Sequence, residues 1–346
     1  MHCYDPRESA LTSFLNAKEL ENQLNLLCCA EWGWGRVEHI QTRVLKCHPG
    51  KRCTFGIAVK TDRGSHELIG KVFAQERPDV CEHMAEIYQA GFGCDSKFAI
   101  PKPLTYLTAL HLLFEEQASG TPVRKILLTA GLSEQKKAAI RCALWLAKFH
   151  TSAPRIGPIT NMEKIMLSES RSLAGKLARL GDPFAEKSRQ LLAELGERAS
   201  ELGIVPFCVT HGSYTYRHVL LEGDRTVVVD WDGCQVSDPA RNVATFIAAA
   251  KWMALKFPGS IRTFDLASDA FLQAYIGERG QDILQRLPFH LGAAYLRHAA
   301  YCTAHQFDRW EEKAMLMLEE GLSVPVVKKL VPVTALSDKS LLSARR

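Results

Sequence analysis

Apolar and polar residues alternate along the chain between residues 35 and 75. The segments RVEHIQTRVLKC, CTFGIAVKT and ELIGKVFA show this alternation, and turns at Pro49-Gly50 and Arg63-Gly64 separate them. Period-2 alternation predicts strands with one buried face, and the proline and glycines predict tight turns between them. We therefore expect an antiparallel meander of three strands.

Helical spacing of apolar residues flanks this meander. It occurs at residues 10–30 and again at residues 79–92, where Gly91 and Gly93 lie close to the end. Residues 101–123 then predict two more strands and a turn. The first part of the chain is therefore predicted to run β-β-β-α-β-β after an initial helix.

Beyond residue 125 the chain is predicted to be mainly helical, with one β-like stretch at 205–238. Helices are expected at 133–152, 161–202 (one or two), 241–256, 264–277 and 287–320. A sheet-rich lobe followed by a larger helical lobe is an α+β arrangement, linked here near QASGTP. The expected units are a lobe at 1–118, a helical lobe at 119–325 and a loosely packed tail at 326–346.

Composition narrows the class of protein. Hydrophobic residues make up 47% of the chain and charged residues 23%, and no apolar run approaches the length of a membrane span. The net charge of +5 is spread along the chain, unlike the basic runs of nucleic-acid-binding proteins. MHCYDPRESA lacks the apolar core of a signal peptide, and the eleven cysteines form no CxxC pair. We expect a cytoplasmic protein with reduced thiols and with neither a membrane nor a nucleic-acid partner.

Two segments of the predicted sheet could bind phosphate. The turn HPGKR contains Gly50, which lets backbone amides approach an anion, and Lys51 and Arg52 add positive charge; a plain solvated hairpin explains the same residues. Lys71 lies within the apolar strand LIGKVF, and in a nucleotide cleft such a lysine contacts phosphates while a helix carboxylate holds it. A lysine on an edge strand that faces water would give the same pattern.

The most specific pattern lies between residues 205 and 246. It contains HGS at 211–213, VVVDWDG at 227–233 and DP at 238–239. Asp230 follows three valines, and a carboxylate at the end of a buried strand is costly unless a cation or an N–H group binds it. Asp230 is therefore a candidate Mg²⁺ ligand.

This ordered set resembles the aminoglycoside phosphotransferase / choline kinase-type family, which has the protein-kinase-like fold. The family pattern H-G-D-x-x-x-x-N, a strand hairpin, D-W-[DE] and D-P corresponds here to HGSYTYRHVLLEGDRTVVVDWDGCQVSDPARNVATFI. The resemblance extends over residues 35–255. It implies a two-lobed fold whose partners are a nucleotide, ATP with Mg²⁺, and a small molecule with a hydroxyl acceptor.

The resemblance also implies roles for individual residues. Lys71 would contact the ATP phosphates and pair with a glutamate of the following helix, and residues 113–118 would hold the adenine through backbone hydrogen bonds. Together with Lys51 of the HPGKR turn, the candidate cofactor-binding residues are Lys71, Glu82, Glu86, Glu115 and Gln117. His211 would begin the catalytic loop, Asp230 would bind Mg²⁺, and Asp238 would brace the loop or the helix that follows.

Two positions depart from the family pattern. Ser213 stands where the family has its catalytic aspartate, and losing a positioned base costs on the order of 10²–10⁴ in rate. His218 stands at the second metal ligand, where a neutral imidazole binds Mg²⁺ poorly. Arg217 either replaces some of the charge near the γ-phosphate or is a surface residue. Three hypotheses therefore stay open: a small-molecule kinase with an altered catalytic loop, a pseudokinase without transfer activity, and a purely structural module that no longer binds nucleotide.

Overall fold

The computed structural model describes residues 17–203 and 206–325. Within them an antiparallel sheet precedes a largely helical part, which confirms the predicted α+β class. The helix predicted at 10–30 begins outside the described residues, and its described part is α1 (Ala17–Leu26), continued by a π turn at Leu27–Glu31. The tail at 326–346 also lies outside them.

Six strands belong to the N-terminal part of the chain. They are β1 (Val37–His48), β2 (Arg52–Thr61), β3 (Gly64–Phe73), β4 (Phe98–Ala99), β5 (Pro103–Leu107) and β6 (Leu112–Glu116). Five of them form an antiparallel sheet in the order β1-β2-β3-β6-β5, while β4 joins a second sheet. The predicted meander is confirmed, because β1, β2 and β3 pair consecutively and His48 lies opposite Arg52 at the first turn.

Alternation along these strands gives the sheet two different faces. One face packs against α1 through a cluster that includes Leu24, Phe55 and Leu68, all at most 4% exposed. The opposite face carries Lys71 and Phe73, and it turns toward α2 (Pro78–Ile87) and the helical part of the chain. Lys71 is therefore on the interlobe face of the sheet and not at a solvent edge.

The helical lobe contains eight helices among the described residues. They are α3 (Val123–Thr129), α4 (Leu132–Ser152), α5 (Met162–Ala178), α6 (Phe184–Ser200), α7 (Ala240–Lys256), α8 (Asp265–Arg279), α9 (Leu287–His305) and α10 (Trp310–Ser323). The single helix expected at 287–320 is wrong, because Gln306 and Arg309 adopt left-handed conformations and separate α9 from α10. The short helix α3 was not predicted.

Five short strands lie between the lobes, and four of them belong to residues 206–246. They are β7 (Thr121–Pro122), β8 (Cys208–Thr210), β9 (Val219–Glu222), β10 (Arg225–Val228) and β11 (Gln235–Ser237). The hairpin of β9 and β10 pairs with β4 on one side and β7 on the other, and β8 pairs with β11. These pairings hold the loops after β8 and β10 beside the small lobe.

The structure also bears on the redox state of the thiols and on membrane spans. The thiols were expected to be reduced, but Cys47 and Cys53 form a disulfide across the first hairpin, where their Cα atoms lie 4.2 Å apart in directly opposed positions. The search for CxxC spacing could not detect a pair brought together by strand register. No helix in the described ranges is both long and apolar enough to cross a bilayer.

Candidate active site

The partner of Lys71 comes from a neighbouring strand. Its ammonium lies 3.1 Å from the Glu115 carboxylate, and both side chains are at most 5% exposed. Leu113 lies directly opposite Lys71, and Glu115 is two residues further along β6, so the Lys71 and Glu115 side chains share a face. The pairing expected with the helix is therefore wrong, because Glu82 and Glu86 are exposed on α2.

Asp230 and Asp232 project from the loop after β10 toward the small lobe. Asp230 has a φ of 73°, and this left-handed conformation ends the buried strand. Arg52 Nη2 lies 2.8 Å from one oxygen of Asp230, and Arg52 Nη1 contacts Asp232. The Asp232 carboxylate also lies 3.8 Å from the Lys71 ammonium. One guanidinium of the small lobe thus bridges both carboxylates of the large lobe.

The electrostatic environment keeps Asp230 ionised. Burial alone would raise its pKa, but the hydrogen bond from Arg52 and the charge of Lys71 hold the pKa below its ordinary value. The carboxylate is therefore an anion at neutral pH, and its charge is already compensated by the protein.

His218 links the loop after β8 to Asp230. Its Nδ1 lies 2.8 Å from the carbonyl oxygen of Ser213, and its Nε2 lies 3.3 Å from Asp230. Burial lowers the pKa of this imidazole, so at neutral pH the Nδ1–H group donates to Ser213. His218 is in place to orient the loop, and as a neutral nitrogen ligand it is a poor donor for Mg²⁺.

The other residues of the expected catalytic loop divide into buried and exposed positions. His211 is completely buried, its Nε2–H donates to the Val229 carbonyl at 3.0 Å, and burial lowers its pKa to about 3. Its backbone N–H donates to Asn242, which also contacts His150 at 3.1 Å. Arg217 is exposed, and its guanidinium lies over the ring of Tyr216.

Asp238 lies two residues before α7 and is held on three sides. It accepts hydrogen bonds from Arg286 at 2.6 Å, from His290 at 2.8 Å and from the Ala240 backbone at 2.9 Å. Burial would raise its pKa, but the His290 hydrogen bond and the positive charge of Arg286 lower it to about 2. Its geometry is that of a buried brace for the segment, away from the cleft.

Two neighbouring cavities lie between the lobes and share Arg52. The first has a volume of about 360 Å³, and apolar side chains at its walls include Ile69, Leu220 and Val229. Glu115 and Gln117 also line it, so both expected hinge residues face this space. The second cavity, of about 540 Å³, is lined by residues of the first hairpin, including Lys51, and by Asp232.

The hinge backbone is only partly available to a ligand. The Gln117 N–H donates to the Glu67 carbonyl, so it extends the sheet. Ala118 follows, lies outside the strand and lines the first cavity. A flat apolar ring bound in this cavity would therefore lie beside Ala118.

The residues present do not fit Mg²⁺. This ion takes six oxygen ligands in octahedral geometry, and here Asp230 and Asp232 are already bonded by the Arg52 guanidinium while His218 offers nitrogen. Across residues 17–203 and 206–325 no cluster of three or more His, Cys, Asp or Glu side chains could hold a metal ion. The expected metal role of Asp230 and His218 is not supported by this arrangement.

Sequence reasoning missed the bridging role of Arg52, the pairing of Glu115 with Lys71, and the Asn242 bridge. Strand register could have revealed the pairing of Glu115, which lies diagonal to Lys71. The Arg52 bridge depends on how the lobes meet. The Asn242 bridge joins three distant segments and has no local signature.

Comparison with known proteins places these features in a family. The phosphotransferase enzyme family, abbreviated APH, matches residues 57–286. No curated protein matches the chain significantly. Similar solved structures exist at low identity, and they support the fold alone.

One similar structure is a thermostable mutant of aminoglycoside phosphotransferase APH(4)-Ia in a ternary complex with ADP and hygromycin B. It is 15% identical with a TM-score of 0.57, covering 88% of this chain and 99% of that one. Another is a choline/ethanolamine kinase family protein from Mesorhizobium loti, 15% identical with a TM-score of 0.56, covering 88% and 93%. A third, the GDP and kanamycin complex of APH(2")-IIia, is 12% identical with a TM-score of 0.54, covering 88% and 98%.

Proposed function

Because the chain belongs to the phosphotransferase enzyme family, we propose that it binds a nucleotide such as ATP between its lobes and does not transfer the phosphoryl group. It would act as a pseudokinase, a nucleotide-binding module on a phosphotransferase fold. This is the second of the three hypotheses that the sequence leaves open.

One observation carries the proposal: each carboxylate that lines the two cavities is already paired with a basic group of the protein. Glu115 pairs with Lys71, Asp230 with Arg52, and Asp232 with both cations. A general base must be free to accept a proton from the acceptor hydroxyl. Ser213 occupies the expected position of that base, and its hydroxyl cannot act as one at neutral pH.

The same cavities retain what a nucleotide needs. The first cavity has apolar walls at Ile69 and Leu220, which suit a base, and the Lys71 ammonium beside them suits a phosphate. The phosphates of a bound ATP would contact the cations Lys71 and Arg52. Two similar structures contain ADP or GDP, which makes a nucleotide the first ligand to test.

Calorimetric titration of the chain with ATP tests the binding part of the proposal. We expect saturable binding that Lys71→Met weakens by about 10- to 100-fold, because a charge-assisted contact is lost. Lys60→Met is the matched control, since Lys60 lies on the adjacent strand with its side chain 65% exposed. An unaltered ATP affinity in the Lys71 variant would contradict the proposed site.

A second function, slow phosphoryl transfer to a hydroxyl of a small metabolite, is favoured by the intact frame of the loop. His211 and Asn242 hold the backbone around Ser213, and Asp230 keeps its left-handed position at the strand end. ATP consumption with a panel of hydroxylated metabolites distinguishes the two. Turnover that Asp230→Asn abolishes would establish the kinase, whereas bound but unconsumed ATP supports the pseudokinase.

A further inference from the structure

The geometry points to a nucleotide site that works without a metal, in which the Arg52 guanidinium takes the place of the divalent cation. We propose that this chain binds the polyphosphate of a free nucleotide and that Arg52 bridges the phosphates to Asp230 and Asp232. The inference rests on the proposed nucleotide binding and specifies the ionic form of the ligand.

Arg52 has the donors for this role. A guanidinium carries five N–H groups in a planar fork. The contacts with Asp230 and Asp232 each occupy a different terminal nitrogen, so further N–H groups remain on both nitrogens and on Nε. The side chain is 16% exposed and lines both cavities, so these donors are accessible from the cleft. Bidentate contact with phosphate oxygens is a geometry that arginine favours.

The backbone around Arg52 fixes the guanidinium in the cleft. Arg52 begins β2, lies opposite Phe73 in the sheet, and closes the hairpin against His48. The neighbouring Lys51 carbonyl accepts a hydrogen bond from the Ala74 N–H at 2.8 Å. This end of the hairpin is thus tied to β3 on one side and to the large-lobe carboxylates on the other.

The charges around the cavities suit a free polyphosphate. Three acidic residues line the two cavities together, and six lysines or arginines do so, which leaves three more basic than acidic groups. The acidic residues are Glu115, Asp230 and Asp232, and the basic residues are Lys46, Lys51, Arg52, Lys71, Arg77 and Arg217. A polyphosphate without a bound cation keeps its full negative charge and matches this excess better than a metal complex.

A divalent cation would have to displace Arg52 from the carboxylates. The guanidinium would then lie, without its anionic partners, close to a dication in a partly buried cleft. Breaking a buried ion pair is strongly unfavourable, and neutral His218 offers a metal no oxygen in return. We therefore expect Mg²⁺ to leave ATP affinity unchanged or to weaken it by competing for the phosphates.

The test is calorimetric titration of the intact chain with ATP in excess EDTA and again in excess Mg²⁺. We expect binding in EDTA at least as tight as in Mg²⁺. Binding that requires Mg²⁺ would overturn the inference and leave the proposed nucleotide binding standing. No binding in either buffer would overturn both, so the two failures are distinguishable.

Substitution of Arg52 makes the test specific. In EDTA, Arg52→Ala should weaken ATP binding by about 10- to 100-fold, because its charge-assisted hydrogen bonds are lost. Arg43→Ala is the matched control, since Arg43 is exposed on the adjacent strand β1 and lines neither cavity. Arg52→Lys keeps the charge and loses the fork, and circular dichroism checks that each variant is folded. Unchanged ATP affinity in a folded Arg52→Ala chain would overturn the inference.

Discussion

The segment from β8 to α7 has a core face, which packs against the helical lobe, and a cleft face, which lies toward the small lobe. The residues on the core face match the family pattern, whereas two on the cleft face depart from it. On the core face, His211 and Asp238 match the pattern and are bonded to the helical lobe. On the cleft face, Ser213 and His218 depart from it, and Asp230 is bonded to Arg52 of the small lobe. The groups that hold the fold together are therefore separate from the groups that carry the chemistry.

Burial explains why the two faces can differ. Asp238 is 3% exposed and His211 is completely buried, so a substitution at either leaves polar partners unsatisfied. Ser213 is only partly buried, and its hydroxyl forms no hydrogen bond within the described part of the chain. Its side chain can change without disturbing the core, and four predictions test this difference.

The largest effect is expected at Asp238. Asp238→Ala leaves the buried Arg286 and His290 without their anion and removes the hydrogen bond at the start of α7. Such a loss should lower the free energy of unfolding by about 3–5 kcal/mol. Urea denaturation measures it, with Asp238→Asn as the variant that keeps the shape. A loss below 1 kcal/mol would show that Asp238 does not brace the segment.

The Lys71–Glu115 pair tests whether the cleft also contributes to stability. Lys71→Met leaves the Glu115 carboxylate buried beside an apolar side chain, so the single variant should be less stable than the double variant Lys71→Met/Glu115→Gln. The double-mutant cycle should give a coupling energy of about 1–3 kcal/mol. Additive effects would mean that the two side chains do not form a pair in solution.

The buried His150, which contacts Asn242 of α7, predicts that the free energy of unfolding depends on pH. Burial lowers the pKa of His150 to about 3, whereas an unfolded histidine titrates near its ordinary value of 6.5. The unfolded state therefore takes up the extra proton between these values, and stability falls as the pH decreases from 7 toward 4. His150→Gln should reduce this slope by about 1.4 kcal/mol per pH unit. His39→Gln, an exposed control on β1, should leave it unchanged.

The smallest effect is expected at Ser213. Ser213→Ala removes a hydroxyl that forms no hydrogen bond within the described part of the chain, so the free energy of unfolding should change by less than about 0.5 kcal/mol. ATP affinity should change by less than about twofold, which is about 0.4 kcal/mol. Thermal unfolding and calorimetry measure the two quantities. A large loss of affinity would give Ser213 a direct role in binding.

Local patterns predicted much of this molecule, because they report on neighbouring residues. Alternation located the meander with Lys71, and the ordered motif located Asp230. The break between α9 and α10 was missed because it lies in HQFDR, without glycine or proline, where Gln306 and Arg309 adopt left-handed conformations.

Contacts across strands or lobes could not be predicted from spacing. Helical spacing suggested Glu82 and Glu86 as partners for Lys71, whereas sheet register placed Glu115 beside it. Arg52 was recognised as a positive charge in a turn, but its bridge to the carboxylates depends on how the lobes meet. The same contacts of Arg52 with Asp230 and Asp232 argue against the expected Mg²⁺ site.

The most direct test of the central claim is a ³¹P nuclear magnetic resonance spectrum of ATP mixed with near-equimolar protein and a panel of hydroxylated metabolites. It reports binding through the phosphate resonances and transfer through the appearance of ADP. Our account predicts shifted or broadened ATP phosphate resonances and no ADP above the protein-free control. Unperturbed ATP resonances, or steady conversion of ATP to ADP, would contradict it.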